Sequence, residues 1–412
     1  MIERADAEGL DAADPLAPFR ERFAIDDPDM LYLDGNSLGR LPLATRERLR
    51  ATVEEWASQL VSGWHEWIEL PERAGDVLAD AVLGARPGEV IVTDSTSVNL
   101  FKLASAVLDT RPGDVVTDTG NFPTDRYVLE GVARRHGREL RLFDPDPIHG
   151  PRPEDVEAAC SEGEVALISL SHVAYRSGAL ADMEAIGAAA SAPVLWDLSH
   201  SAGAVPVELE RRGVELAVGC TYKYLNAGPG APAFLYVREE LQPRLRTPIQ
   251  GWFGQRDQFQ MERDYDPEPG VRGFLAGTPP ILALVAVEEG ARLVGEAGIG
   301  ALREKGAALT ELVVELHDEH LAPLGFELAS PRDATRRGGH VSLAHPEAWP
   351  ICRALIERAR VVPDFRGPDS IRLGLPPLYT RFTDVFDALE RLRGLVERGE
   401  HRLVQTSRLR VT

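Results

Sequence analysis

Between about residue 85 and residue 240 the chain alternates short apolar runs with stretches of helical periodicity, and that alternation leaves few folds open. The runs are Glu89–Thr93, Asp114–Asp118, Val165–Leu170, Val194–Asp197, Leu216–Gly219 and Ala233–Val237. Most are apolar at consecutive positions, as strands covered on both faces of a parallel sheet must be. Val98–Leu108, Arg126–Arg135 and Asp182–Ala190 lie between them with helical spacing. The pattern predicts a doubly wound α/β domain, whose ligands bind at the carboxyl edge of the sheet.

The flanks read differently. Residues 1–44 form a polar arm with a strong turn signal at Asp34-Gly35-Asn36, and a helical pattern follows from Thr45 to about Leu83, interrupted near Ser62-Gly63 and Pro71. Pro279-Pro280 opens a long helix, as proline at a first turn allows. A second helix over Leu302–His317, strand-like runs near 326–329, 340–343, 361–362 and 370–373, and a closing helix near 382–398 make a smaller α+β unit. The expected division is an arm (1–44), a large domain (45–280) and a connector helix with a small C-terminal domain (281–412).

Composition narrows the function classes. With 45 basic against 65 acidic residues the net charge is −20, a field that repels nucleic acid and anionic membrane surfaces. No run approaches the about 18–20 apolar residues of a membrane span. The acidic N-terminus lacks the apolar core of a signal peptide. Three widely spaced cysteines, Cys160, Cys220 and Cys352, make no disulfide framework. The expectation is a cytoplasmic protein.

Only three of the 45 basic residues are lysines, Lys102, Lys223 and Lys305. Lys102 falls inside a helical pattern and Lys305 on what reads as a polar helical face. Lys223 stands between Tyr222 and Tyr224 just past an apolar run, with Gly228 and Gly230 behind it. An amine set among aromatics at a strand end suits imine chemistry. Two further segments accompany it. Thr96 and Ser97 sit where a helix N-cap belongs, which serves either plain capping or a phosphate. Asp197 ends an apolar strand with His200 shortly after; it reads as a capping residue or a ligand-facing carboxylate, and no third ligand makes the pair a metal site. A phosphate cradle, a strand-end Asp and a Lys in that order match what pyridoxal 5'-phosphate (PLP) requires.

Here the resemblance becomes specific. LYLDGNSLG (31–39), STSVNL (95–100), NFPTDRY (121–127), WDLSHSAG (196–203), TYKYLNAGPG (221–230), IQGWFGQ (249–255), GTPPILAL (277–284) and IRLGLPPLY (371–379) resemble the kynureninase family. These are PLP enzymes of fold type I, with a mostly parallel seven-stranded sheet in the large domain. The resemblance implies hydrolytic Cβ–Cγ cleavage of L-kynurenine or 3-hydroxykynurenine to the anthranilate and L-alanine, within tryptophan degradation or NAD biosynthesis.

By the same resemblance Lys223 is the imine lysine and Asp197 pairs with the ring nitrogen, with His200 nearby. Phe122 stacks on the ring and Asp125 belongs to the same loop. Thr96, Ser97 and Tyr222 cradle the phosphate, Ser171 contacts the cofactor, and Tyr222 also moves a proton. Trp252 and Thr278 reach the phosphate of a neighbouring subunit, which implies a homodimer with shared sites; some relatives carry Asn in place of Thr278. Arg372 grips the substrate carboxylate, and Asn36, Ser37, Trp64 and His65 line its aromatic end. Readings that share the lysine and aspartate are a class V aminotransferase, a cysteine desulfurase and a non-catalytic PLP-fold regulator. A desulfurase needs a loop cysteine that RRGGHVSLAHP (336–346) lacks, and no DNA-binding segment is appended.

Overall fold

The computed structural model describes residues 2–404; the last residues of the expected C-terminal unit, 405–412, lie outside them. All six apolar runs form strands of one seven-stranded sheet. Its order is 90–92, 234–237, 216–219, 194–197, 165–171, 114–118 and 140–143. Only 234–237 runs antiparallel to its neighbours. The seventh strand, Leu140–Phe143, escaped the pattern reading because it is an edge strand whose LRLF sequence is only partly buried. The interior strands Val194–Asp197, Leu216–Gly219 and Phe234–Val237 are buried throughout, which is why their sequences run apolar without alternation.

Apolar side chains cover both faces of this sheet in two clusters, one around Leu70, Trp196 and Phe234, the other around Leu100, Leu167 and Phe274. A third core gathers on a four-stranded antiparallel sheet of order 364–366, 370–374, 340–344, 327–328. Ala7, Leu31 and Leu33 of the arm join that third core, and Leu31–Tyr32 pairs with Val361–Val362. Leu16 and Phe23 pack instead with the large-sheet core. Lys305 is not on a polar face: it is buried, with Nζ 2.7 Å from Asp14 of the arm.

The Ile281–Ala297 helix follows the two prolines and packs against the loop that carries Lys223. Close approach is possible because residue 290 is glycine; a Cβ there would stand 1.9 Å from the Leu225 carbonyl oxygen. Gly290→Ala is expected to cost about 1–3 kcal/mol through overpacking and to loosen the lysine loop. Urea unfolding of the two proteins measures it; equal midpoints would refute the close fit.

Candidate active site

The carboxyl ends of the parallel strands deliver the chemistry. Asp197 closes strand 194–197, Ser171 closes 165–171, and Lys223 follows 216–219 by a short turn. Local bonds fix the lysine turn: Asn226 N donates to Lys223 O at 3.0 Å and Gly39 N to Tyr222 O at 2.8 Å. A Cβ on Gly39 would meet Lys223 O at 2.3 Å, so the arm motif LDGNSLG is shaped to lie against this turn. That contact explains why an arm so far away in sequence belongs to the site.

A cavity of about 220 Å³ opens there. It brings together Thr96, Ser97, Phe122, Asp125, Asp197, His200, Tyr222 and Lys223. Ser95, rather than Thr96 or Ser97, is the N-cap of the Thr96–Leu108 helix: its side chain accepts from Val98 N at 3.4 Å. The two expected caps are therefore first-turn residues, which line the cavity at the helix end where the amides are unpaired. Sequence reasoning missed Asp94, Thr124, Tyr175 and Ser199, which line the same space. Asp94 and Ser199 each lie two residues from a residue it named.

Charge is arranged tightly. Burial pushes the Asp197 carboxyl up, opposed by the hydrogen bonds from Ser199, whose amide is 2.9 Å away, and by Lys223. Burial and then the Asp197 charge push Asp125 well up. His200 Nε2 lies 2.9 Å from Lys223 Nζ, and burial followed by the Lys223 charge drives its pKa well down, so a neutral imidazole faces the amine. Its Nδ1 and Asp125 Oδ2 are buried without hydrogen-bond partners. Orphaned polar atoms around a cavity are groups awaiting a ligand's. A protonated ring nitrogen for the carboxylates and a phosphate for the helix amides and hydroxyls fit this donor set.

Arg372 sits buried outside the cavity lining. Nη1 donates to Tyr175 O at 2.6 Å, and Nη2 bonds Asp364 and, at 3.2 Å, Ser37 Oγ. With its amide oriented to satisfy both neighbours, Asn36 accepts from Arg372 Nε at 2.7 Å and donates to Asp34 at 3.3 Å. Asn36, Ser37 and Arg372 thus converge, held by Asp364, which sequence reasoning did not name. Burial and then the charge of Asp364 raise Asp34 to about 6.

Other expected residues lie elsewhere in the chain. Ser171 Oγ donates to Asn121 Oδ1 at 2.8 Å and faces an adjoining cleft rather than the lysine cavity. Trp64 packs on Trp67 and Phe253 and borders a separate apolar groove, while His65 is exposed. Within one chain neither reaches the lysine cavity, because the Trp64–Trp67 helix rests on Phe253 and not on the sheet edge. Trp252, 41% exposed, stacks edge-on against Phe253, and Thr278 is exposed; neither lines its own chain's cavity. The described residues hold no cluster of metal-ligating side chains.

Residues 302–392 match the family model described as the kynureninase C-terminal domain. The chain is 44% identical to the kynureninase of Pseudomonas fluorescens, covering 97% of this chain and 96% of that one. It is 41% identical to the kynureninase of Burkholderia pseudomallei, covering 96% of each. The chain belongs to the kynureninase family. Among solved structures it is similar to a cysteine desulfurase of Thermococcus onnurineus, with TM-score 0.76 and 20% identity over 95% of this chain and 98% of that one. A cysteine desulfurase of Escherichia coli gives TM-score 0.78 and 16% identity over 93% and 98%. These two define the fold of this kynureninase-family chain, the mostly parallel α/β architecture of fold type I. Unlike a desulfurase, it presents no cysteine to the cavity: Cys220 and Cys352 are buried, and burial raises both thiols.

Proposed function

We propose that the chain hydrolyses L-kynurenine to anthranilate and L-alanine, with PLP held on Lys223. One observation carries the assignment of the amine. Of the three lysines, Lys102 and Lys305 are buried in ion pairs with Asp94 and Asp14, and Lys223 alone faces the cavity that Asp197 and the hydroxyl-bearing helix end also line.

When bound, PLP supplies an electron sink conjugated to the substrate α-carbon. The protein's own groups do the rest. Asp197, anchored by Ser199, would pair with the ring nitrogen and keep it protonated, with Asp125 in the same lining. Phe122, edge-on to Tyr175 at 5.2 Å, covers the ring face. Thr96, Ser97 and Tyr222 would hold the phosphate. Lys223 would act as the base for the substrate α-proton, and neutral His200 would accept a hydrogen bond from the lysine amine. Water adds to the γ-carbonyl, the Cβ–Cγ bond breaks, anthranilate leaves, and Tyr222 returns a proton to the β-carbon of alanine. Arg372 binds the substrate carboxylate, for which a planar fork suits better than an ammonium.

Several finer assignments belong to the same reading. The protein is cytoplasmic and acts in tryptophan breakdown; no described helix is long and apolar enough to cross a membrane. It divides into the arm, large unit and small unit given above. A homodimer places Trp252 and Thr278 at the neighbour's phosphate and Trp64 and His65 at the substrate's aromatic end. Exposed Trp56, Val61, Trp252, Phe259 and Met261, from 41% to 82% accessible, support a covered face. Sedimentation at the dimer mass is the expected result. For the reaction, protein with PLP and kynurenine releases fluorescent anthranilate. Pyruvate-dependent transamination without anthranilate would replace this reading with an aminotransferase.

A further inference from the structure

Lys102 is a buried cation that the reaction above leaves unused. It lies on the Thr96–Leu108 helix, two turns past the hydroxyl cradle, with a side chain that has no solvent exposure. Its Nζ is 2.5 Å from Asp94 Oδ2 and 2.5 Å from the Phe274 carbonyl oxygen. Desolvating an ammonium is costly, and a core position could be filled by an apolar residue of similar size. The chain keeps the charge where an apolar side chain would pack.

Its partner explains why. Asp94 lines the lysine cavity directly beside Ser95, Thr96 and Ser97. It is held there rigidly. Its backbone sits in the left-handed region at φ 48°, its carbonyl accepts from Ala233 N at 2.9 Å, and its carboxylate accepts from Thr93 Oγ1 at 2.9 Å. A phosphate monoester brings about −1.5 to −2 charge at pH 7. The lining holds three acidic side chains, Asp94, Asp125 and Asp197, with one cationic side chain, Lys223, and burial pushes Asp125 and Asp197 up toward the neutral acid. An uncompensated Asp94 at the cradle would repel the anion that the helix end is built to take.

We propose that Lys102 is a positioning residue for the cofactor phosphate. It neutralises Asp94 and fixes it in place, so that a doubly charged anion is accepted next to a carboxylate. This rests on the reading that PLP occupies the lysine cavity with its phosphate at the Thr96–Ser97 end. It goes beyond that reading by giving an electrostatic task to a residue that touches neither cofactor nor substrate.

The test is a charge-neutralisation series read by cofactor binding. Apo forms of the wild type, Lys102→Met and the Lys102→Met/Asp94→Asn double variant are titrated with PLP and with pyridoxal, which lacks the phosphate. The visible imine band and the rate of cofactor loss are followed. Lys102→Met is expected to weaken PLP binding by about tenfold or more, the scale on which unpairing a buried charge acts. Pyridoxal binding should change far less. The double variant, neutral at both positions, should recover most of the PLP affinity.

A merely structural lysine would weaken both ligands alike and gain nothing from Asp94→Asn; that result overturns the proposal, as does unchanged PLP binding in Lys102→Met. Should Lys102→Met fail to fold, the double variant decides. A folded double variant that retains PLP like the wild type supports charge compensation, and one that binds PLP poorly refutes it. A wild type that forms no Lys223-dependent imine band would instead sink the cofactor reading itself.

Discussion

Lys223→Ala will retain its fold, lose the visible imine band on adding PLP, and lose turnover by roughly 10⁴-fold or more. Two losses combine. The cofactor has no covalent anchor, and no base stands over the substrate α-carbon. The structure adds a third consequence: His200 Nε2 loses its neighbour at 2.9 Å, while Nδ1 already lacks one. A buried imidazole with neither nitrogen satisfied costs about 1–3 kcal/mol, so the variant should melt lower unless a water takes the amine's place. Small primary amines should restore part of the turnover by occupying the vacated space. Turnover that persists without them would remove Lys223 from the mechanism.

Arg372→Ala should raise KM for kynurenine by about 10²–10³-fold, the value of two charge-assisted hydrogen bonds, and leave PLP affinity nearly unchanged. The arginine is more than a substrate clamp, because it also neutralises Asp364 in a buried cluster with Asp34 and Arg366. Removing it takes a guanidinium away from those carboxylates while Arg366 stays beside Asp364, and breaking a buried pair costs about 3–5 kcal/mol. The variant should therefore be less stable as well as weak in substrate. Arg372→Lys separates the effects: it restores charge to Asp364 and stability with it, but an ammonium cannot present a fork, so KM stays high. Recovery of KM in Arg372→Lys would argue against a bidentate contact. Equal losses of PLP and kynurenine binding in Arg372→Ala would point to a collapsed site.

What the sequence disclosed follows the physics of burial. Strands such as Val194–Asp197 announce themselves because both faces are covered, whereas the half-exposed Leu140–Phe143 does not. The short Asp364–Arg366 strand is mostly polar and was equally silent. Lys223 stood out through scarcity, and Asp197 through its place at a strand end. Lys305 was misjudged because its partner, Asp14, is distant in the chain, and no local periodicity records an ion pair between segments so far apart. The same holds for Asp364, whose role depends on Arg372 across an antiparallel register. Thr96 and Ser97 were placed in the right turn but past the true cap, since Ser95, just before them, competes with equal propensity. Trp64 and His65 show a deeper limit: a motif locates residues along the chain but does not say where the fold carries them, and within this chain they lie away from the lysine cavity.

The lone antiparallel strand, 234–237, has a mechanical consequence. Because it returns alongside 216–219, the segment bearing Lys223 leaves and re-enters the sheet at neighbouring positions, like a loop of wire soldered at both feet. Cross-braces inside it, Ala227 N to Thr221 O at 3.1 Å and Thr221 Oγ1 to Pro232 O at 2.7 Å, stiffen the span. The amine can swing aside on its methylene tether, a rotamer motion of picoseconds to nanoseconds, while the backbone beneath stays still. Release of the lysine and its return should then leave amide hydrogen exchange across 221–227 slow and unaltered by turnover.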